Sequence, residues 1–361
     1  MKSSVDAKAF SGALKKVGGI LKKSAIPMLE DVQVNFTGCK CTVTATDLSL
    51  WMIVEFPADG DDFSFVLKNT NKIMKACQYY SGTLTITLSG DEKEPVLNMS
   101  CGGKAGEFPV RIEEPFPMPL LTEETNCYMV NAATLLERLN RIKYASTKSE
   151  QKPVFEGVRF QDNRLWCVDG YRIALNEDDG LCVKEPFIVP IPALIQLKVF
   201  GKADVVLAVS KRYVQISGDG VSLYSRRLEP SDELKLERVI PTQWKERYPI
   251  GRKKYLDALN YLGANLTTGD KPYVSFRDGS LILLTPSAKY SADMDTECAC
   301  EIDYSFDWRY MKDALGQFPG EDFVTFQVAG ELSPVVLTDG KGNTALVLTV
   351  RIKNDACKSA A

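Results

Sequence analysis

The chain contains no histidine among its 361 residues, and that absence excludes more than any count of what is present. Without imidazole there is no Ser-His-Asp or Cys-His relay, no HExxH or Cys2His2 metal site and no histidine general base. Carboxylate or lysine chemistry remains open, but the commonest acid–base side chain is missing. Phosphate-binding loops are missing too. Gly18-Gly19, Gly102-Gly103 and Gly218-Asp219-Gly220 have no GxxxxGK context, and the last reads as a hairpin turn. No GxSxG elbow occurs, and no CxxC pair occurs among the ten cysteines. The close pairs Cys39/Cys41 and Cys298/Cys300 are spaced by two, which on a strand puts both thiols on one face as small hydrophobes. No apolar run approaches a bilayer span: Pro186 to Phe200 carries three prolines, Gln196 and Lys198. Lys15, Lys16, Lys22 and Lys23 interrupt any signal-like core at the start of the chain. These exclusions predict a soluble, cytoplasmic protein without a membrane partner, and no motif in the chain points to a catalytic residue, a metal or a cofactor.

What is present is ordinary in composition, 45% apolar and 25% charged, and long enough for two or three domains. One pattern recurs three times at intervals of roughly 120 residues. A short extended segment leads into an amphipathic basic helix, with stripes Phe10-Leu14-Val17-Leu21, Leu135-Leu139-Ile142 and Tyr255-Leu259-Leu262. Asp6 and Asn131 are suitable N-caps and Gly251 an acceptable one. Alternating strands follow each helix, beginning with Val32-Val34-Phe36, Val158-Phe160 and Val274-Phe276. Polar corners close them at Thr46-Asp47-Leu48, Val168-Asp169-Gly170 and Thr285-Pro286-Ser287. A second helix and a further strand hairpin complete each copy. The Pro115 to Pro119 stretch and the segment from Glu229 to Pro241 read as linkers. The fold class is therefore α+β, with three domains at 1–121, 122–243 and 244–352 and a tail at 353–361, each domain built of two helices and about eight strands.

Charge is segregated along this pattern. The helices predicted over 6–23, 68–80, 131–148, 191–202, 251–265 and 307–318 hold 19 Lys and Arg against five acids, leaving 25 basic and 42 acidic residues elsewhere. Helix propensity does not explain this, because Glu is as good a helix former as Lys and appears once, as Glu137. Six such helices on one surface would make it strongly positive although the whole chain carries −3, which suits a polyanion bound through phosphate without base readout.

Several segments resemble the bacterial β sliding clamp family, the processivity subunits of replicative DNA polymerases. Ala25-Ile26-Pro27-Met28-Leu29, followed by Thr44-Ala45-Thr46-Asp47-Leu48, resembles its first-domain signature. Val168-Asp169-Gly170-Tyr171-Arg172-Ile173-Ala174 resembles its T-D-G-H-R-L-A segment, and Glu237-Arg238-Val239-Ile240-Pro241 its R-R-V-L-P. Val350-Arg351-Ile352 is similar to the family's usual ending.

The resemblance implies a head-to-tail homodimer, six domains in a ring around double-stranded DNA, with helices inside and sheets outside. It implies no catalytic step. Its partners would be the replicative DNA polymerase, the clamp loader and repair factors, each inserting a short peptide into a pocket between the second and third domains. The matching positions are Phe155, Val168, Gly170, Tyr171, Arg172, Ile173, Leu234, Arg238, Val239, Leu346 and Leu348, with Pro334 nearby. Lys23, Lys72, Lys148, Lys152 and Lys198 are the DNA-facing candidates. Lys104, Phe108 and Arg111 would meet Asp293, Asp295 and Glu297 across the dimer seam, with Phe108 supplying buried apolar area and the facing edge near Ser291 to Cys300. Tyr171 stands where the family has His, Val168 where it has Thr and Leu234 where it has Pro, which marks a divergent member. A clamp-fold peptide-binding scaffold that is never loaded on DNA is the alternative. The dimer expectation has a simple check: sedimentation should give a particle of about twice the chain mass.

Overall fold

The computed structural model describes residues 1–24, 26–90, 94–112, 116–119, 125–148, 152–229, 235–294 and 301–352. Among these residues there are 24 strands, eight in each sequence repeat. Every repeat has the same strand and helix order, so strands are named here by their place in the repeat. The fourth strands are Leu50–Gly60, Arg172–Glu177 and Lys289–Asp293; the eighth are Lys104–Arg111, Val221–Arg226 and Asn343–Val347.

The expected helices form, with shorter ends. Ala7–Gly18 starts at Asp6, whose side chain accepts from the Ala9 N–H, and stops at Gly18-Gly19 rather than running to 23, because paired glycines make continuation unfavourable. Thr70–Cys77 begins two residues later than expected because Asn69 takes φ 56°, outside the helical region. Ala132–Ile142 is followed by a 3-10 turn at Lys143–Ala145. The segment from 191 is helical only at Ile191–Leu194 and continues as a 3-10 helix, Ile195–Phe200. Arg252–Ala264 and Trp308–Gly316 form as the third pair, and Asp307 caps the latter through the Arg309 N–H. One short helix, Leu236–Val239, was not expected. Cys39 is a correction of another kind: it occupies a turn at φ 63° and is exposed, while Cys41 is buried on the strand. The two thiols do not share a face. Cys298, Cys300 and the tail 353–361 lie outside the described residues.

The chain forms two compact units, Met1–Leu136 with Pro192–Arg227, and Glu137–Ile191 with the chain from Leu228 onward. In the first unit, strand Lys2–Asp6 pairs with both Thr83–Ser89 and Leu50–Gly60 and so closes the eight strands of the first repeat on themselves. Phe10, Leu14 and Val17 of the first helix fill that enclosure with Val34, Phe36, Val43 and Leu84. In the second unit, helices Arg252–Ala264 and Trp308–Gly316 pack together over a core that includes Tyr255, Leu262, Phe276, Phe306, Met311 and Phe326.

Both intrachain junctions are the same construction. The fourth strand of one repeat pairs antiparallel with the eighth strand of the next. In the first unit the register runs from Val54↔Val221 to Leu50↔Ser225, and in the second from Asn176↔Asn343 to Arg172↔Val347. The second repeat is thereby shared, its last three strands and its first continuing the first unit's sheet and its second to fifth continuing the second's.

The two junctions differ in chemistry. Where the first has Val54 beside Val221, the second has Asn176 beside Asn343 under Arg138, all buried. The Arg138 side chain donates from Nε to Asn176 Oδ1 and from its terminal nitrogen to the Asn163 and Asn176 carbonyls at 3.1 and 3.3 Å. Asn176 Nδ2 donates to Asn343 Oδ1 at 2.8 Å. Burial lowers the Arg138 pKa, although Asp178 opposes the shift. Arg138 therefore belongs to the interior, not to the basic helix surface. Arg138→Ala should cost about 3 kcal/mol in urea unfolding, since it strands two buried acceptors. Adding Asn176→Val and Asn343→Val, which copies the first junction, should recover most of that loss.

Candidate functional site: an apolar cleft at the second junction

Alternation along the strands of the second junction puts Trp166, Val168, Ile173, Leu175, Val336 and Leu346 into one apolar cluster. Helix Leu236–Val239 lies against it through the buried Leu236, and Phe155, Val239, Ile240 and Trp244 pack around the margin half-buried. Phe155 comes from the 3-10 turn Pro153–Glu156. Five residues expected in a peptide pocket, Phe155, Val168, Ile173, Val239 and Leu346, thus meet in one cluster.

The polar corner above it is set by Asp169. Its Oδ1 accepts from the backbone N–H of Tyr171 and of Arg172 at 3.0 and 3.1 Å. Gly170 between them has φ 92°, a conformation that glycine adopts without penalty. Its open side faces the Phe155 ring, 3.6 Å from where a Cβ would sit. Leu348 joins the rim by donating its N–H to the Tyr171 carbonyl at 2.9 Å and leaves 36% of its surface exposed. Pro334 sits half-buried, just before strand Val335–Thr338, and Arg238 is exposed. Leu234 lies outside the described residues.

Arg172, one of the positions expected in the pocket, has its guanidinium engaged within the protein. Its Nε donates to Asp169 Oδ2 at 2.8 Å and its Nη1 to Asp313 Oδ2 at 2.5 Å. The guanidinium lies over two rings, Tyr310 at 4.6 Å and Tyr144 at 5.3 Å. Burial alone would lower its pKa, but the hydrogen bonds to Asp313 and Asp169 hold it above the ordinary value. Burial also pushes the Tyr144 hydroxyl up, where it donates to Gln317 Oε1 at 2.9 Å. Arg172 is thus a fixed peg that orients the corner.

Tyr171 is 59% exposed and stacks on Tyr310, with ring centroids 5.7 Å apart. Tyr310 had no sequence signal, standing on a helix 139 positions away. Leu175 and Trp166 had one: they follow Ile173 and precede Val168 at the strand period of two. Behind Phe155 is a space of about 20 Å³, room for a single water. It is lined in part by Trp166, whose buried Nε1 has no hydrogen-bond partner among the described residues. On the far side of the helical turn a groove of about 340 Å³ runs past Leu236, Ile240 and Thr242 to Arg164, Glu177 and Thr338. The arrangement offers apolar wells, an exposed aromatic platform and a backbone that a chain can approach at Gly170. It has the parts of a peptide-binding cleft.

Other expected positions are distributed as follows. Lys23, Lys72, Lys148, Lys152 and Lys198 are all exposed, but Lys152 lies over the Phe155 ring at 5.5 Å and so borders the cleft. Lys104 Nζ donates to the Tyr79 carbonyl at 2.8 Å, and Arg111 pairs with Asp31. Phe108 is only 8% exposed; its ring is already buried in its own repeat and has little apolar area left for a seam. Asp293 ends an exposed edge strand that starts at Lys289, earlier than the expected Ser291. Asp295 and Glu297 lie outside the described residues. No described helix is long and apolar enough to cross a membrane.

No family model matches the chain. It is 21% identical to a β sliding clamp of Caulobacter vibrioides over 94% of this chain and 96% of that protein. The DNA polymerase sliding clamp of Bacillus subtilis superposes with a TM-score of 0.85 at 17% identity, covering 98% of this chain and all of that one. The DNA polymerase III beta subunit of Thermotoga maritima superposes with a TM-score of 0.83 at 19% identity, with the same coverage. Over nearly its whole length, this chain has the fold of the bacterial β sliding clamps.

Proposed function

We propose that this protein is a DNA polymerase processivity factor, without catalytic activity, whose three domains at 1–121, 122–243 and 244–352 close with those of a second copy into a ring around duplex DNA. One observation carries the reading. Each intrachain junction joins a fourth strand to the next repeat's eighth strand, and this leaves one fourth strand and one eighth strand over. Lys289–Asp293 is an edge of its four-stranded sheet, and Lys104–Arg111 is paired on one side along most of its length. Each fits the other's role, so a head-to-tail pair would satisfy both of these edges at once.

The basic helices supply the inner surface. Lys8, Lys15, Lys72, Lys75, Lys198, Lys253 and Lys254 are exposed on them, and such charges contact phosphates without reading bases, which permits sliding. Retention then comes from topology. Clamp loaded on closed circular DNA should survive a high-salt wash and be lost on linearisation, because electrostatic attachment alone weakens steeply with salt. Equal loss from circular and linear DNA would favour the alternative, a clamp-fold scaffold that binds peptides but is not loaded.

The cleft serves the partners: polymerase, clamp loader and repair factors bearing clamp-binding peptides. Exchange among them calls for roughly micromolar binding, about −8 kcal/mol, toward which two buried Leu or Phe anchors contribute roughly 3–6 kcal/mol before association costs. Leu348→Lys places a charge on the apolar rim and should abolish binding of a polymerase C-terminal peptide in calorimetry while leaving the urea midpoint unchanged. Undiminished binding by that variant would move the pocket elsewhere.

A further inference from the structure

Beside the apolar cluster the cleft has a well of a different kind, built by a row of residues across three strands. On strands Gly157–Asp162, Arg164–Val168 and Val183–Pro190, Arg159 lies opposite both Trp166 and Ile188. Directly opposed residues of antiparallel strands point to the same face. The same face carries Val168, two residues beyond Trp166, and Gly157, two residues before Arg159. Gly157 lets the row close up, since a Cβ there would stand 2.5 Å from Ile188 Cγ2. Phe155, on the turn that leads into Gly157, bounds the row, and the space of about 20 Å³ lies behind it. The well shares Phe155, Trp166 and Val168 with the apolar cluster, whereas Gly157, Arg159 and Ile188 belong to the well alone.

The chemistry of the well is one-sided. Trp166 is 3% exposed, and its Nε1 has no hydrogen-bond partner among the described residues. A buried N–H without an acceptor destabilises a fold, and a ring without the N–H would fill the same place at no such cost. The Arg159 guanidinium lies over the indole at 5.4 Å and adds positive charge. No carboxylate or amide side chain is among the described residues that line the space, and the rest of the lining is mostly hydrocarbon. The well thus offers a donor, lacks a side-chain oxygen to receive it, and has the volume for one oxygen atom.

We propose that this well takes the oxygen of a short polar side chain of the bound peptide, an amide or a carboxylate, and that the Trp166 indole N–H selects it. The inference rests on the peptide-cleft reading above and deepens it. Gly170 sets the approach: the place its Cβ would take is 3.6 Å from the Phe155 ring, so a chain lying on Gly170 runs beside the well. A side chain the length of Asn or Asp carries an oxygen past Phe155 to the indole. Leu, of nearly the same size and shape, brings only methyl groups. A buried donor separates such isosteres more sharply than an apolar pocket separates sizes, because the wrong ligand leaves the N–H unpaired. Hydrocarbon anchors then give the cleft its affinity, and one oxygen gives it discrimination among peptides.

The probe is a polymerase C-terminal peptide made with Leu, Asn or Asp at each position in turn. Calorimetry on the full-length protein should find one position at which the Asn or Asp form binds about tenfold more tightly than the Leu form, the effect of one buried hydrogen bond. In Trp166→Phe, which keeps a ring and removes the N–H, that ratio should fall to about one whatever happens to overall affinity. A preference for Asn names the group as an amide, and a preference for Asp names it as a carboxylate. A second measurement covers a Trp166→Phe chain that does not fold. With the indole nitrogens of its four tryptophans isotope-labelled, the parent should show one N–H signal that shifts with the preferred form and not with the Leu form. Substituting Trp51, Trp244 or Trp308 by Phe should leave that signal in place. Peptides that bind without a Trp166-dependent preference at any position overturn the well while leaving the cleft. A parent protein that binds no form of the peptide overturns both.

Discussion

Antiparallel pairing of a fourth strand with the next repeat's eighth strand is the constraint on which the rest of this molecule depends. It fixes the order of the sheets, and it shares the second repeat between two compact units. Backbone hydrogen bonds do the joining and are indifferent to sequence, so side chains along the junctions are free to differ. That freedom is used. One junction is closed by valines and the other by a buried arginine with two asparagines, at identical positions of the same architecture.

The cleft is a by-product of the second junction. Its floor is the outward face of the paired strands, its wall the helical turn that crosses them, and its rim the corner that Asp169 and Gly170 build. Arg172 shows why position in a motif does not define role: the guanidinium is held by two carboxylates and two tyrosine rings, and what it presents to a ligand is a correctly placed backbone. The exposed surface it supports is aromatic, Tyr171 on Tyr310, with Tyr171 standing where the family that the sequence resembles has His.

Much of this architecture was legible in the residues. The threefold repeat, the helix starts at Asp6 and Asn131, the alternating strands and the turns at Asp219-Gly220 and Asp278-Gly279 follow from local chemistry, which this chain obeys closely. Helix ends were less legible, since Gly18-Gly19 and the left-handed Asn69 act only once their conformations are known. Pairing between repeats was not legible at all, because strand alternation says which residues share a face and nothing about which strand lies alongside. For that reason Arg138 was read as surface charge and Phe108 as a free apolar group, and Tyr310 went unnoticed. The strand positions in the cleft were found by resemblance and then extended by alternation to Trp166 and Leu175.

The division of the second repeat has a consequence for how the molecule comes apart. A segment of sequence that looks like a module, with its own helices and eight strands, has no independent existence here: strands 126–131 and 204–226 are protected by one unit and strands 157–190 by the other. Cooperative unfolding must then proceed by units that straddle the repeats. Amide exchange in the middle third of the chain should fall into two classes, each following the kinetics of a different flank, and no cleavage between repeats would release a fragment able to stand alone with its hydrogen bonds complete.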